Sequence, residues 1–290
     1  MSRDVLLAVP NISEGRDLDV VAAVGDAYAA AGAALLDVHS DPDHNRSVHT
    51  LAGRPGTLAA ALAAGAAIAV EWIDLRGHAG LHPHVGAIDV VPIVHLDGAR
   101  RGAACAEALV AAELLGELGL AVLLYGALAG GRSRAEIRRG GPAALAERLA
   151  TGELHADFGA PMAHPTAGAA LVGARAPLVA FNVELAAPAT VEDAKRIAAA
   201  IRDGGETGLK GLRAIGLELA SRSGVAQVSM NIEDHRALPL AAVVAAVQAH
   251  ATVAEAELVG LAPAAAFDGF PAGTHVRNRR TVEEALEAVG

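Results

Sequence analysis

Cysteine occurs once in the 290 residues, at Cys105. One thiol excludes an internal disulfide and any cysteine-rich zinc centre. Its surroundings, Ala103–Ala108, read as helix, where a buried and inert thiol is expected. Aromatic residues make up only 2% of the chain, so the core must be built from closely packed alanine, valine and leucine. Lysine appears only at Lys195 and Lys210, and the formal net charge is −10. That surplus of acid argues against nucleic-acid binding, which rests on clustered positive charge. It leaves room for a few arginines to hold a small carboxylate locally. Long apolar runs are missing too. The alanine-rich stretch 58–70 is short of a membrane span and is bracketed by polar residues. The run Val5–Val9 is too short for the apolar core of a secretory leader. A cytoplasmic protein with no membrane partner is expected.

What is present is 53% hydrophobic against 19% charged residues, enough for a sizeable core and too apolar for disorder. Short β-like runs alternate with alanine-rich helical stretches, the pattern of an α/β (α+β) chain. Strands are expected at 5–9, 34–38, 46–52 and 88–95, with helices at about 17–31 and 55–70. This βαββαβ order is the split βαβ of ferredoxin-like folds. A helix at about 100–118 and a strand at 121–125 extend the sheet. The order then repeats, with strands at 177–185, 212–220, 226–232 and 257–261 and helices at 191–202 and 240–251. Two ferredoxin-like subdomains are expected, 1–176 and 177–290, with a ligand groove between them. The joining region, about 150–176, reads as irregular, punctuated by Gly152, Gly159, Pro161, Pro165 and Gly168.

Three polar clusters stand out. Residues 76–86, RGHAGLHPHVG, crowd His78, His82 and His84 into a glycine-rich loop ahead of an apolar strand. Imidazole titrates near working pH, so His82 is a candidate general acid/base held in a stiff, exposed turn by Pro83. Three surface-loop histidines are the plain alternative. A metal is the weaker reading: His78 and His82 have i,i+4 spacing, but Gly80 and Pro83 spoil the helix that zinc spacing needs. Residues 37–46, DVHSDPDHNR, offer acids, histidines and Arg46 to a polar substrate, or simply a hydrophilic turn at Asp41-Pro42-Asp43. Residues 10–16, PNISEGR, lead from a strand into a helix that Ser13 or Asp17 could cap. Phosphate loops, a Gly-x-Ser-x-Gly elbow and HExxH are all missing.

Taken together, these clusters resemble the formiminotransferase family. The opening VPNISEGR (9–16) looks like that family's VPNFSEGR. DPDHNRSV (41–48) and LHPHVGAIDVVP (81–92) look like its next two motifs. DFGAP (157–161) and HPTAG (164–168) are similar to a fourth and lead into GARAPLVAFNV (173–183). AQVSMN (226–231) and ELVGL (257–261) also fit, so the resemblance runs from about Val5 to Pro263 with the motifs in order.

The resemblance implies two ferredoxin-like subdomains, a homodimer and the transfer of a formimino group from N-formimino-L-glutamate to tetrahydrofolate. Tetrahydrofolate is then a co-substrate, and no metal is expected. The catalytic histidine corresponds to His82. The folate-contacting segment corresponds to Gly159, Ala160, Pro161, Met162, Ala163, His164, Pro165, Thr166, Ala167 and Gly168. Asp37 or Asp89 could stabilise a cationic amidinium or orient His82, and Arg46 and Arg175 are candidates for binding substrate carboxylates. His39, Leu81 and Ala127 stand where family members often carry acids. Another one-carbon donor (formyl-glutamate, formiminoglycine, or 5-formyltetrahydrofolate in a cyclo-ligase-like step) therefore stays open, as do a folate-binding protein without turnover and a metal-dependent amidohydrolase. The helical cyclodeaminase part found in some relatives has no counterpart within these residues, so no release of ammonia from formiminotetrahydrofolate is expected.

Overall fold

The computed structural model describes residues 5–289. It divides into two compact units at the Ala176–Pro177 junction. The first begins with β1 (Leu6–Ala8), β2 (Asn11–Ile12), α1 (Leu18–Ala30), β3 (Ala34–Asp41), β4 (Arg46–Gly53), α2 (Leu58–Trp72) and β5 (Ile88–His95). In sheet order these strands run β3-β4-β1/β2-β5, all antiparallel. That is the ferredoxin-like arrangement. The strand expected at 5–9 is β1; beyond Val9-Pro10, where proline has no N–H for the ladder, the unforeseen short strand β2 continues along the same partners.

The rest of the unit comprises α3 (Arg101–Glu117), β6 (Ala121–Leu124), α4 (Arg134–Arg138), α5 (Gly141–Ala150), β7 (Phe158–Gly159) and β8 (Ala169–Arg175). Strand β8 lies between β5 and β6 and runs parallel to both. The expectation of an irregular joining region is therefore wrong at its C-terminal end. The sequence Ala169-Ala-Leu-Val-Gly-Ala-Arg175 is buried almost throughout. A strand covered on both faces by small residues carries no polar–apolar alternation to betray it. Helices α4 and α5 likewise have no counterpart in the sequence expectation, although Ser133 and Glu136 form a capping box on α4.

Two layers of side chains enclose this sheet. Helices α1, α2 and α3 cover one face, over a core that includes Leu6, Ile12, Leu51, Ile88, Val91 and Ile93. On the other face Ile137 of α4 and Leu145 and Leu149 of α5 pack on Val90, Leu123, Tyr125 and Leu171. Alanine allows close approach here, and glycine closer still: Gly65 on α2 lies directly over the ring of Tyr28 on α1. Helix α1 is capped by Asp17, whose carboxylate accepts from the backbone N–H of Asp19 and Val20. Ser13 does not cap it; its hydroxyl donates instead to the Gly86 carbonyl at 2.7 Å. Helix α2 lacks a cap of its own. The buried carboxylate of Glu107 on α3 accepts from Gly56 and Ala59 at its N-terminus. Cys105 is half-buried against the core, less covered than expected.

The second unit holds β9 (Val179–Leu185), α6 (Val191–Ile201), β10 (Leu212–Leu219), β11 (Val225–Ile232), α7 (Leu240–Gln248), β12 (Val253–Val259), β13 (Val276–Arg277) and α8 (Val282–Val289). Its order is β10-β11-β9-β12-β13, again ferredoxin-like, with only β13 added in parallel at the edge. Strand β12 begins at Val253, four residues before its expected start. Its core gathers Phe181, Ile197, Ile201, Val228, Val243 and Leu258.

Replacing Gly65 with alanine tests the alanine–glycine packing. A methyl there would lie 2.1 Å from a Tyr28 ring carbon. Overpacking costs about 1–3 kcal/mol, against at most about 1 kcal/mol gained from the helix propensity of alanine. The melting temperature of Gly65→Ala should fall; a rise would mean that the two helices are free to part.

Candidate active site

Three loops meet at one end of the first unit's sheet. The β2–α1 loop carries Glu14 and Arg16, the β3–β4 turn carries His44 and Asn45, and the segment between α2 and β5 carries His78, His82 and His84. Each is shaped by its own side chains. The carboxylate of Glu14 accepts from the N–H groups of Gly15, Arg16 and Asp17. Asp41 folds the β3–β4 turn by accepting from the N–H groups of Asp43 and His44, and its other oxygen lies 2.8 Å from His44 Nδ1. Burial pushes the Asp41 carboxyl up, but its bonds and charge attraction to His44 outweigh this and hold it below its ordinary value. Asn45 fastens the loops together, accepting from Gly15 N–H at 3.1 Å while its amide nitrogen lies 3.3 Å from His78 Nδ1.

At the centre is Asp89, which is fully buried. A β-bulge puts it there. Asn11 pairs with Val90 but Ile12 pairs with Ile88, leaving Asp89 as the extra residue on β5. Ile88 and Val91 face the helices α1–α3, whereas Val90 faces the opposite core. The bulge thus turns Asp89 to the side of the sheet that α4 and α5 cover. There one carboxylate oxygen accepts from Val85 N–H at 2.8 Å. The other accepts from Arg46 at 3.2 Å and from Arg138. Arg138, at the end of α4, is absent from the sequence-based candidates, because only the chain path brings α4's last residue to β5.

Arg46 also donates to the Asn11 side chain and places one nitrogen 2.7 Å from His82 Nδ1. A guanidinium has donors only, so His82 Nδ1 must be the acceptor. His82 is therefore neutral, with its single ring proton on Nε2. Burial drives its pKa well below the ordinary imidazole value, and the positive charges of Arg46 and Arg138 and the nearby His44 reinforce this. His44 and His82 stand edge to face at 6.2 Å, and His78 and His84 at 4.2 Å. His82 is half-buried, not in the exposed turn the sequence implied. Arg46 lies deep enough that burial pulls its pKa down to about 9, with Asp89 opposing the shift, so it stays cationic at neutral pH.

The segment 159–168 adjoins this loop. Residues His164–Gly168 form a tight turn closed by two backbone hydrogen bonds, and His164 Nδ1 accepts from Ala167 N–H. Backbone bonds then tie Leu75 to Thr166, Ala87 to Ala167 and Ala169 to Val85. The turn is thus stitched along the strand side of the histidine loop. Gly168, at φ +70°, comes so close to the Val85 carbonyl that a Cβ would lie 2.1 Å from it. Met162 and Leu81, in the two segments, are both exposed. The remaining two expected residues lie farther along the same face. Asp37 pairs with Thr50, four residues along β4 from Arg46. Arg175 pairs with Val94, five residues along β5 from Asp89.

Two ferredoxin-like units, the first bearing a histidine kept neutral by burial and by neighbouring guanidiniums, make this an α/β protein with a candidate acid–base group. Comparison with known proteins narrows the class. Residues 5–175 match the family described as "Formiminotransferase domain, N-terminal subdomain", and residues 180–282 match "Formiminotransferase domain". The glutamate formimidoyltransferase of Streptococcus pyogenes serotype M1 is 37% identical over 273 residues, covering 91% of this chain and 90% of that protein. The corresponding protein of Thermoplasma acidophilum is 36% identical, covering 88% and 87%. The formimidoyltransferase-cyclodeaminase of Sus scrofa is 38% identical over 271 residues, and there the chain spans only 49% of the relative's length. The chain belongs to the formiminotransferase family.

Removing the Arg46 charge should raise the His82 pKa, because imidazolium would no longer face a guanidinium. An NMR pH titration of Arg46→Met, followed at the His82 Cε1 proton, should move upward; an unchanged curve would deny the contact. In the wild type, folding holds His82 neutral below its unfolded value of 6.5. The unfolded chain takes up the proton first as pH falls, so this group's stabilisation is lost on acidification below about pH 6.5.

Proposed function

We propose that the chain transfers the formimino group of N-formimino-L-glutamate to N5 of tetrahydrofolate, giving 5-formiminotetrahydrofolate and L-glutamate, a step of histidine degradation and one-carbon metabolism. The observation that carries this reading is a juxtaposition: the histidine loop, supported by Asp89 and two guanidiniums, is hydrogen-bonded along Val85–Ala87 to the turn His164–Gly168. The loop supplies the proton-transfer group. The segment 159–168, with Met162 and Leu81 presenting apolar surface to solvent, supplies a platform for a flat pteridine. Residues 1–176 are the subdomain that carries the chemistry, and 177–290 the second subdomain.

In this reaction the N5 lone pair forms a bond to the formimino carbon, and the tetrahedral adduct loses the N5 proton. The carbon–nitrogen bond to glutamate then breaks, its electrons remaining on the glutamate nitrogen, which takes up a proton. His82 is the proposed carrier of that proton, and such transfer is worth about 10²–10⁴-fold in rate. With Nδ1 occupied by Arg46, Nε2 bears the ring proton. To accept the N5 proton at Nε2, the ring must shift its own proton to Nδ1, so Arg46 has to release that nitrogen. A substrate carboxylate competing for the Arg46 guanidinium would bring this about. Asp37 and Arg175 serve as outer substrate contacts on the same face. No step calls for a metal, and His82 Nδ1 faces a guanidinium, a poor neighbour for a cation.

The relatives' names support glutamate as the group left behind. Among the described residues no helix is long and apolar enough to cross a membrane. We place the protein in the cytoplasm as a homodimer, without nucleic-acid or membrane partners; light scattering of the purified protein should give about twice the 29.1 kDa chain mass.

His82→Ala should lose about 10²–10⁴-fold in turnover with its melting temperature little changed. The assay is the absorbance of methenyltetrahydrofolate after acidification. Product should require both substrates and survive a chelator. Normal turnover by the variant would remove His82 from the mechanism. A folded wild type that binds folate yet ignores formiminoglutamate would point to another one-carbon donor.

A further inference from the structure

Beyond the histidine loop, the face of the first unit's sheet that α4 and α5 cover carries a second group of donors. Along β8, Leu171 faces this side, so Gly173 and Arg175 do too. The ring of Tyr125 lies on Gly173, where a Cβ would meet it at 2.7 Å. Arg134, the first residue of α4, stands over the same ring at 5.6 Å. The Tyr125 phenol is 6% exposed, and its hydroxyl finds no acceptor. Arg175 is half-buried beside it; one guanidinium nitrogen donates to the Ala176 carbonyl at 3.0 Å, while the buried Nε has no partner. Neither Arg134 nor Arg175 has an acidic partner among the described residues, whereas Arg132 and Arg138 pair with Asp157 and Asp89.

Burial pulls the Arg175 pKa down to about 10, with the neighbouring Arg134 charge adding to the effect and Tyr125 opposing it. The charge of Arg134 is felt at Arg46 as well. Arg46, Arg134 and Arg175 therefore form a continuous cationic row in a chain whose net charge is −10. The one buried carboxylate on this row, Asp89, is already shared by Arg46 and Arg138. Apart from the Ala176 carbonyl and the contact between Arg175 and the Tyr125 oxygen, two guanidiniums and a phenolic O–H converge without an acceptor, and no carboxylate faces them. Buried donors in that state call for an acceptor from outside.

We propose that Tyr125, Arg134 and Arg175 form a carboxylate subsite that holds a glutamyl group of a substrate. The proposal rests on the transferase reading for which substrate it is. Arg175 stands five residues along the sheet from Asp89, about 16 Å at ~3.3 Å per residue. The formimino carbon and the carboxylates of the donor are only a few bonds apart. The acceptor's glutamyl tail is separated from N5 by an aromatic spacer. That reach favours the folate tail, with the donor as the alternative source of the same chemistry.

Tyr125→Phe removes one donor without changing the fold's volume, and Arg134→Gln removes a half-buried charge at the first turn of a short helix. Each should raise the KM for tetrahydrofolate with kcat little changed, by roughly 10- to 100-fold for Arg134→Gln, the range of a charge-assisted hydrogen bond. Tetrahydropteroate, which lacks the glutamyl group, should not distinguish the variants from the wild type. A rise confined to the KM for formiminoglutamate would support the subsite and reassign its occupant to the donor. Unchanged KM values for both substrates, in folded variants of normal turnover, would overturn the subsite and leave the transferase standing. Glutarate titrated calorimetrically into the wild type and Arg134→Gln separates the two ideas. Binding lost in the variant, from a wild type that turns over neither substrate, would keep the subsite and overturn the transferase. A wild type with neither glutarate binding nor turnover would overturn both.

Discussion

A carboxylate with no exposed surface cannot stand alone. Stripping its hydration costs several kcal/mol unless opposite charge and hydrogen bonds replace the lost water. Asp89 meets that demand with the Val85 N–H and two guanidiniums. Its position follows from a single extra residue in β5, the bulge that turns it out of the core beneath α1–α3. Arg46, once held by Asp89 and Asn11, is fixed where its remaining donor meets His82. Arg138, held by the same oxygen, moors the end of α4. Removing either arginine leaves a buried charge half-compensated, at a cost of about 3–5 kcal/mol. One carboxylate thereby sets the place of a histidine, a helix and a row of positive charge.

That row shows why net charge and local charge answer different questions. Acid exceeds base by ten over the whole chain, which is an argument about non-specific partners. Along one sheet face the balance reverses: of four arginines there, Arg46 and Arg138 pair with the buried Asp89, and Arg134 and Arg175 have no acidic partner among the described residues. In that setting a histidine is kept neutral through neutral pH and below, by burial and by cations that imidazolium would have to face. Its tautomer follows from the chemistry of its neighbour, because guanidinium can only donate.

The two units share a strand order but elaborate it differently. The second adds a single short parallel strand at one edge. The first extends its sheet with β8 and β6, whose connection includes α4 and α5 and roofs the face opposite the long helices. It is this roof that carries Arg134 to Tyr125 and Arg138 to Asp89. Glycine and alanine make the layers fit: Gly173 beneath Tyr125 and Gly65 against Tyr28 are contacts that a larger residue would force apart. In a chain with few aromatic residues, both tyrosine rings are seated on a glycine.

How far the sequence reached follows from the range of the forces involved. Alternation of β-like runs with alanine-rich helices, and the repeat of that order, fixed the ferredoxin-like cores, because hydrophobic periodicity is a local property. The end of β1 at Val9-Pro10 and the cap at Asp17 were written locally as well. The polar clusters included His82 and Arg46, and Asp89 lies just beyond the first of them. Strand β8 stayed hidden because a strand buried on both faces by alanine, leucine, valine and glycine has no alternation to read. Arg138 stayed hidden because 49 residues separate it from the carboxylate it meets. The bulge at Asp89, the neutral state of His82 and the converging donors at Tyr125 arise only when distant segments exclude water from one another, and that is decided by tertiary packing.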